Sequence, residues 1–113
     1  MTAFQRYLVD AEEQLSTASF VNDRKFPQYR EIARIVAEVY MLSGNLKINV
    51  DGRELSASAV KDVFRNLTAD HVTFVIEKFS SLDYEVRNTK SFLRTMLYDS
   101  VFELESSISK EVI

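Results

Sequence analysis

Apolar residues recur at the spacing of an α-helix in five separate segments of the chain, and this periodicity limits the fold more than any other feature. Val60, Val63, Phe64 and Leu67, for example, stand at i, i+3, i+4 and i+7, which is one face of a helix. Only two glycines and one proline occur in 113 residues, too few for a sandwich of short strands and many turns. The sequence therefore predicts an all-α domain, a compact bundle of about five helices.

Candidate capping residues bound these helices. Thr2 and Gln5 have the spacing of a capping box, so the first helix should run from about 3 to 16, before a polar loop over 16–25. Pro27 suits the first turn of a second helix over about 27–43, which Gly44 or Asn45 ends. The expected N-caps of the other three helices are Ser56 or Ser58, then Thr68, then Asn88, and the last helix should extend to about 106.

The segment between the second and third helices departs from the helical period. Residues 46–50 alternate apolar and polar, Asp51-Gly52 is a strong two-residue turn, and residues 53–55 can form the returning strand. We therefore expect a short β-hairpin at 46–55. It must pack on the helices, because a lone hairpin is only marginally stable in water.

Length, charge and composition restrict the function of such a domain. A chain of 113 residues without cysteine is expected to fold as one domain in the cytoplasm, with neither a disulfide nor a zinc–thiolate site. Fourteen basic against seventeen acidic residues give a net charge of -3, so any nucleic-acid contact must come from a local patch. The longest apolar stretch, 32–42, contains Arg34 and Glu38 and is too short to span a membrane, and the N-terminus is unlike a signal peptide.

His71 is the only histidine, and its sequence context favours a structural role. A catalytic base needs a nucleophile and an orienting partner, and a metal ligand needs companions at suitable spacing. The sequence supplies neither set, and it contains no glycine-rich phosphate loop. We therefore expect His71 to pack or hydrogen-bond near Thr68, and we expect no enzyme activity, no cofactor and no metal.

Arg87, Lys90 and Arg94 form the basic cluster of most functional interest. At i, i+3 and i+7 they would share one side of the fifth helix near its N-terminus, where the helix dipole attracts anions. Lys61 and Arg65 would join them if the third helix packs against the fifth. Two interpretations remain open: a solvated face balanced by acidic neighbours, and a patch that binds an anion or nucleic acid.

Four aromatic residues fall partly outside the apolar faces of their helices: Phe74, Tyr84, Tyr98 and Phe102. Exposed aromatic side chains commonly anchor protein–protein interfaces, so these four are candidates for binding a partner. Alternatively, they complete a core that is wider than the periodicity indicates. The apolar face of the first helix raises the same question, because it must pack either on its own domain or on a second copy in a homodimer.

Four segments follow each other in the order and spacing found in a known family. They are Ile48 to Gly52, Val60 to Leu67, His71 to Val75 and Val86 to Tyr98. In these segments the chain resembles the C-terminal domain of replication initiator protein A from plasmids and mobile elements of Gram-positive bacteria, a domain similar to those of the replisome organiser DnaD. The resemblance runs from Tyr29 to Phe102, so it divides the chain into a weakly matched part, 1–25, and a DnaD-like helical domain, 26–113.

The resemblance implies a non-catalytic adaptor that recruits host replication proteins, either primase or the helicase-loading machinery, to a plasmid or mobile-element origin. Members of that family bind origin DNA through an N-terminal winged-helix domain, for which this sequence leaves no room, so the chain would correspond to the adaptor part. The last helix of DnaD-like domains carries an aromatic, an aliphatic and a tryptophan spaced four apart; here these positions hold Phe92, Met96 and Ser100, so the tryptophan is missing.

The alternative function is that of a DNA-binding or regulatory helical domain, in which the third and fourth helices form a helix-turn-helix. Two features speak against it. The hairpin precedes these helices, whereas a wing normally follows the recognition helix. The fourth helix also offers only Lys78 and His71 as cations, too few for a helix that reads a DNA groove.

Overall fold

The computed structural model of the chain describes the backbone of residues 1–112 and the side chains of residues 1–105. Within these residues the chain forms five α-helices and one antiparallel hairpin, which confirms the predicted all-α architecture with a short hairpin. In chain order the elements are α1 (Ala3–Gln14), a 3-10 turn (Thr17–Phe20), α2 (Phe26–Met41), β1 (Lys47–Val50), β2 (Arg53–Ser56), α3 (Ala57–Phe64), α4 (Ala69–Ser80) and α5 (Thr89–Val112).

The predicted caps form hydrogen bonds with backbone N–H groups that have no partner inside the helix. At the start of α1, the Gln5 N–H donates to Thr2 Oγ1 over 3.1 Å, and the Thr2 N–H donates to Gln5 Oε1 over 2.7 Å. Ser56, rather than Ser58, caps α3 by accepting from the N–H three residues later over 3.2 Å. Asn88 starts α5 in the same way, over 3.0 Å.

The segment 16–25 differs from the predicted polar loop, because it contains the 3-10 turn Thr17–Phe20. Ser16 leads into this turn with a left-handed backbone, φ 54°. Tertiary packing holds the turn. Thr17 is buried, and the Phe20 ring stacks on the Tyr29 ring with the centroids 3.9 Å apart. The local polarity of the segment gave no sign of these contacts, which come from packing on α2.

The hairpin is built around the predicted turn at Asp51-Gly52. Both turn residues have positive φ, 57° and 75°, as a two-residue type I′ turn requires. Ile48 and Val50 are buried, so the hairpin packs on the helices as expected. Its tip lies against α5, where the Asp51 N–H donates to Thr95 Oγ1 over 3.4 Å.

A single hydrophobic core surrounds α2, which packs against α1, α3, α4 and α5. Ala11 of α1 and its C-cap Leu15 lie in this core, and Phe4 and Leu8 pack against it. The domain itself therefore covers much of the apolar face of α1, although Tyr7 stays 38% exposed. The buried hydrophobic residues are Ala11, Leu15, Tyr29, Ile32, Ala33, Ile35, Val36, Ala37, Val39, Ile48, Val50, Ala57, Val60, Phe64, Leu67, Val72, Val75, Ile76, Leu93, Leu97 and Val101.

Gln14 joins three helices with one side chain. Its amide nitrogen donates to the carbonyl of Phe64, the last residue of α3, over 2.9 Å and to the carbonyl of Leu67, just beyond that helix, over 3.0 Å. Its amide oxygen accepts from the Tyr40 hydroxyl of α2 over 2.8 Å. Burial raises the pKa of Tyr40, against the opposite effects of the bond to Gln14 and of nearby Arg65. We call this set of bonds the Gln14 clasp.

Candidate docking surface

The four aromatic candidates fall into two groups in the structure. Phe74 and Tyr98 are half-buried and pack against the core, and the Lys78 ammonium lies 5.6 Å from the centre of the Phe74 ring. Tyr84 and Phe102 are 59% and 50% exposed. Phe102 lies beside Tyr98 on α5, with the ring centroids 5.5 Å apart. Tyr84 and Phe102 are therefore the members of this set whose rings remain accessible to a partner.

Tyr84 stands at the mouth of a groove between α2, α4 and α5. The inner part of the groove has a volume of about 140 Å³ and almost entirely apolar walls. The outer part, about 540 Å³, opens to solvent beside the α4–α5 loop. Both parts are lined by Gln28, Phe79, Ser80 and Thr89, so they form one continuous depression, called the docking groove below.

Each of the three helices lines the docking groove with residues that are neighbours on one face of that helix. The inner part is lined by Gln28, Glu31 and Ile32 of α2, by Ile76, Phe79 and Ser80 of α4, and by Thr89 and Leu93 of α5. Residues three or four apart lie side by side on a helix, so the spacing that builds the core also builds the groove. The Phe79 ring is further held by an edge-on contact with the Phe92 ring, with the centroids 6.1 Å apart.

The charged side chains that line the docking groove are both acidic. Glu31 lines the inner part and Glu85 the outer part, and both residues are exposed. Among residues 1–105, neither carboxylate forms an ion pair. One cation also reaches the rim, because the Lys25 ammonium lies 3.5 Å from Ser80 Oγ. The groove thus combines an apolar floor with two unpaired carboxylates, an arrangement that suits a ligand with both an apolar and a cationic group.

The basic candidates near the start of α5 do not form one stripe. Arg87 precedes the helix, so it lies outside the helical register that Lys90 and Arg94 share. The Lys90 ammonium pairs with Glu38 of α2, with a nitrogen–oxygen distance of 3.1 Å. Arg94 is half-buried, and its Nε is buried without a hydrogen-bond partner in the part of the chain whose side chains are described. Arg87 and Lys90 are both exposed, and Arg87 forms no ion pair among residues 1–105.

Arg65, the C-cap of α3, is also separate from Lys90, although α3 contacts α5. Arg65 pairs with Asp62 and lies near the Tyr40 hydroxyl, whereas Lys90 pairs with Glu38. Positions 38 and 40 project from opposite sides of α2, because consecutive residues turn by about 100° around a helix. Lys61 is half-buried. Arg65 and Lys90 therefore face different surfaces of the domain.

His71 has the structural role predicted for it. Its Nδ1 lies 3.0 Å from both the backbone nitrogen and Oγ1 of Thr68, so it accepts from the Thr68 N–H and completes the cap of α4. Burial lowers the pKa of His71, against the opposite influence of Asp70 and Glu105. The neutral ring is the form that this cap needs, because a protonated Nδ1 cannot accept a hydrogen bond.

Asp51 at the hairpin tip and Asp99 of α5 form a carboxyl pair that the sequence did not predict. Partial burial, a hydrogen bond with Asp51 and the charges of Asp51 and Glu103 raise the pKa of Asp99 from 3.8 to about 6, while Lys78 opposes them. This hydrogen bond between the two carboxyl groups links the hairpin tip to the middle of α5. No local pattern indicates this pair, because Asp51 and Asp99 are distant in the sequence and meet only in the folded chain.

Comparison with known proteins adds no relative: no family model, curated protein or solved structure matches the chain. Within residues 1–112, no helix has both the length and the apolar character needed to cross a lipid bilayer. Across the side chains that the structure describes, no three histidine, aspartate or glutamate residues are grouped so that they could hold a metal ion.

Proposed function

We propose that this chain is a non-catalytic adaptor domain of a DnaD-like replication initiator, which recruits host primase or the helicase-loading machinery to a plasmid or mobile-element origin. The observation that carries the proposal is the docking groove, an apolar depression with an exposed tyrosine at its mouth. Val86, Thr89 and Leu93 of the groove fall within Val86 to Tyr98, one of the four segments that carry the resemblance to replication initiator protein A.

The groove has the physical properties of a protein-binding site. Interface energy is concentrated in a few aromatic and apolar side chains that enter well-packed pockets, and tyrosine is among the most frequent of them. Tyr84 projects beside such a pocket while its ring stays 59% exposed, so a partner could bury it together with the apolar floor. On α5, Phe102 is a further exposed aromatic side chain that a partner could contact.

Ion pairing within the domain favours the adaptor over a direct DNA-binding role. Three cations already contact carboxylates of the domain, in the pairs Arg65–Asp62, Lys78–Glu103 and Lys90–Glu38. Phosphate groups would have to compete with these carboxylates, although each such exposed pair contributes only about 0–1 kcal/mol. The net charge of -3 adds a general repulsion of DNA.

Isothermal titration calorimetry with purified primase and purified helicase loader tests the proposal. We expect one of the two proteins to bind, and Tyr84→Ala to weaken its binding at least about tenfold, because truncation of an aromatic anchor typically costs about 2 kcal/mol or more and about 1.4 kcal/mol is a factor of ten. Tyr7→Ala, which removes a 38% exposed aromatic ring from α1, is the matched control and should leave the affinity unchanged. Absence of binding to both proteins would contradict the proposal.

A further inference from the structure

We infer that the docking groove recognises a protein segment that inserts one aliphatic or aromatic side chain into its inner part while an adjacent lysine or arginine contacts Glu31 or Glu85. This inference rests on the proposed adaptor function and deepens it, because it specifies the chemistry of the partner segment.

The volume of the inner part determines which side chain of the bound segment can anchor it. A cavity of about 150 Å³ lined by leucine, isoleucine and phenylalanine is large enough to hold benzene. The inner part has about 140 Å³ and a floor of Ile32, Ile76 and Leu93, so it fits one phenyl or isobutyl group. Full burial of such a side chain increases affinity by roughly ten- to hundredfold relative to an alanine at the same place.

The charged side chains at the rim determine which charge the residue next to the anchor should carry. Glu31 borders the inner part and Glu85 borders the outer part, so a segment anchored in the floor has a carboxylate nearby in either part. Since neither carboxylate has an ion-pair partner within residues 1–105, both can pair with a cation of the bound segment. An acidic segment with the same anchor would face both carboxylates and only one rim ammonium, that of Lys25, so it should bind more weakly.

A pair of synthetic peptides tests the inference on the full chain labelled with ¹⁵N. Each peptide carries a central leucine–phenylalanine pair, flanked in one peptide by lysines and in the other by glutamates. We expect the lysine peptide to shift the amide signals of Ile76, Ser80, Tyr84 and Leu93, and the glutamate peptide to bind at least about fivefold more weakly. Equal binding of the two peptides, shifts confined to α1 and the 3-10 turn, or no shift with either peptide would overturn the inference.

Three variants of the chain sharpen this test. Glu31→Gln with Glu85→Gln should weaken the lysine peptide about three- to tenfold and make its binding less sensitive to salt, because each exposed pair contributes modestly and is screened. Glu12→Gln with Glu13→Gln removes the same charge from α1 and should change neither. Ser80→Trp places a large ring over the inner part and should abolish the shifts, while circular dichroism verifies that it folds. A lysine peptide that binds this variant normally would refute the site.

Two further results separate this inference from the proposed function. If the lysine peptide binds the groove but neither primase nor helicase loader binds the chain, the adaptor proposal fails and the groove chemistry stands. If one of those proteins binds and the lysine peptide does not, the groove chemistry fails alone. Light scattering that shows a dimer dissociating as the peptide binds would identify a second copy of the chain as the occupant and overturn the inference.

Discussion

The Gln14 clasp makes a quantitative prediction about how the N-terminal helix is held. Gln14→Ala removes three hydrogen bonds at once, two to the C-terminal carbonyls of α3 and one from Tyr40 of α2. A typical hydrogen bond contributes about 1 kcal/mol net, and water can reach part of this site because Tyr40 is only half-buried. We expect the free energy of unfolding to fall by about 2–3 kcal/mol, and the melting temperature to fall by roughly 10 °C.

A double-mutant cycle followed by urea denaturation measures this effect. Tyr40→Phe removes one of the three bonds, so it should cost about 1 kcal/mol, and its combination with Gln14→Ala should show a coupling of similar size. Glu13→Ala, at an exposed neighbouring position on α1, is the control and should change stability by less than about 0.5 kcal/mol. A loss below about 0.5 kcal/mol for Gln14→Ala, or no coupling between the two positions, would refute this reasoning.

Three further predictions concern the hairpin, the carboxyl pair and the basic residues. Gly52→Ala should cost about 1 kcal/mol of stability in urea denaturation because φ is 75°, whereas Gly44→Ala, without positive φ, should change little. Because the pKa of Asp99 is raised to about 6, the folded state holds a proton that the unfolded chain releases near pH 4, so stability falls as pH rises through 6. Asp99→Asn should therefore remove this pH dependence. At pH 7 it should stabilise the protein by about 1 kcal/mol after allowance for solvent screening. An unchanged pH profile of stability would contradict this prediction. Lys90→Ala with Arg94→Ala should leave primase or loader binding intact; a large loss of DNA affinity with a shallower salt dependence would instead favour the DNA-binding alternative.

The local features of the fold could be predicted from the sequence because their causes are local. Apolar spacing sets each helix face, the caps at Thr2, Ser56 and Asn88 set helix starts, and Asp51-Gly52 sets the hairpin turn. The 3-10 turn at Thr17–Phe20 was missed because its stability comes from stacking on α2, which no local pattern encodes.

The candidate site was harder to predict because it depends on packing between distant segments. Ile32 and Leu93 lie in one groove although 60 residues separate them, so neither residue stands out in its own helix. The pair between Lys90 and Glu38 likewise depends on how α5 lies across α2. The position of Arg87 could be predicted from the sequence, because the N-cap at Asn88 already places Arg87 before the helix.

The docking surface itself can be tested by photo-cross-linking from within the groove. A photoreactive phenylalanine analogue replaces Tyr84 in one sample and the α1 residue Tyr7 in another, and each is irradiated with purified primase and helicase loader. We predict a covalent product with one of these proteins from position 84 and none from position 7. Cross-linking from position 7 alone, or from neither position, would contradict the proposal that this domain docks host replication proteins through the groove between α2, α4 and α5.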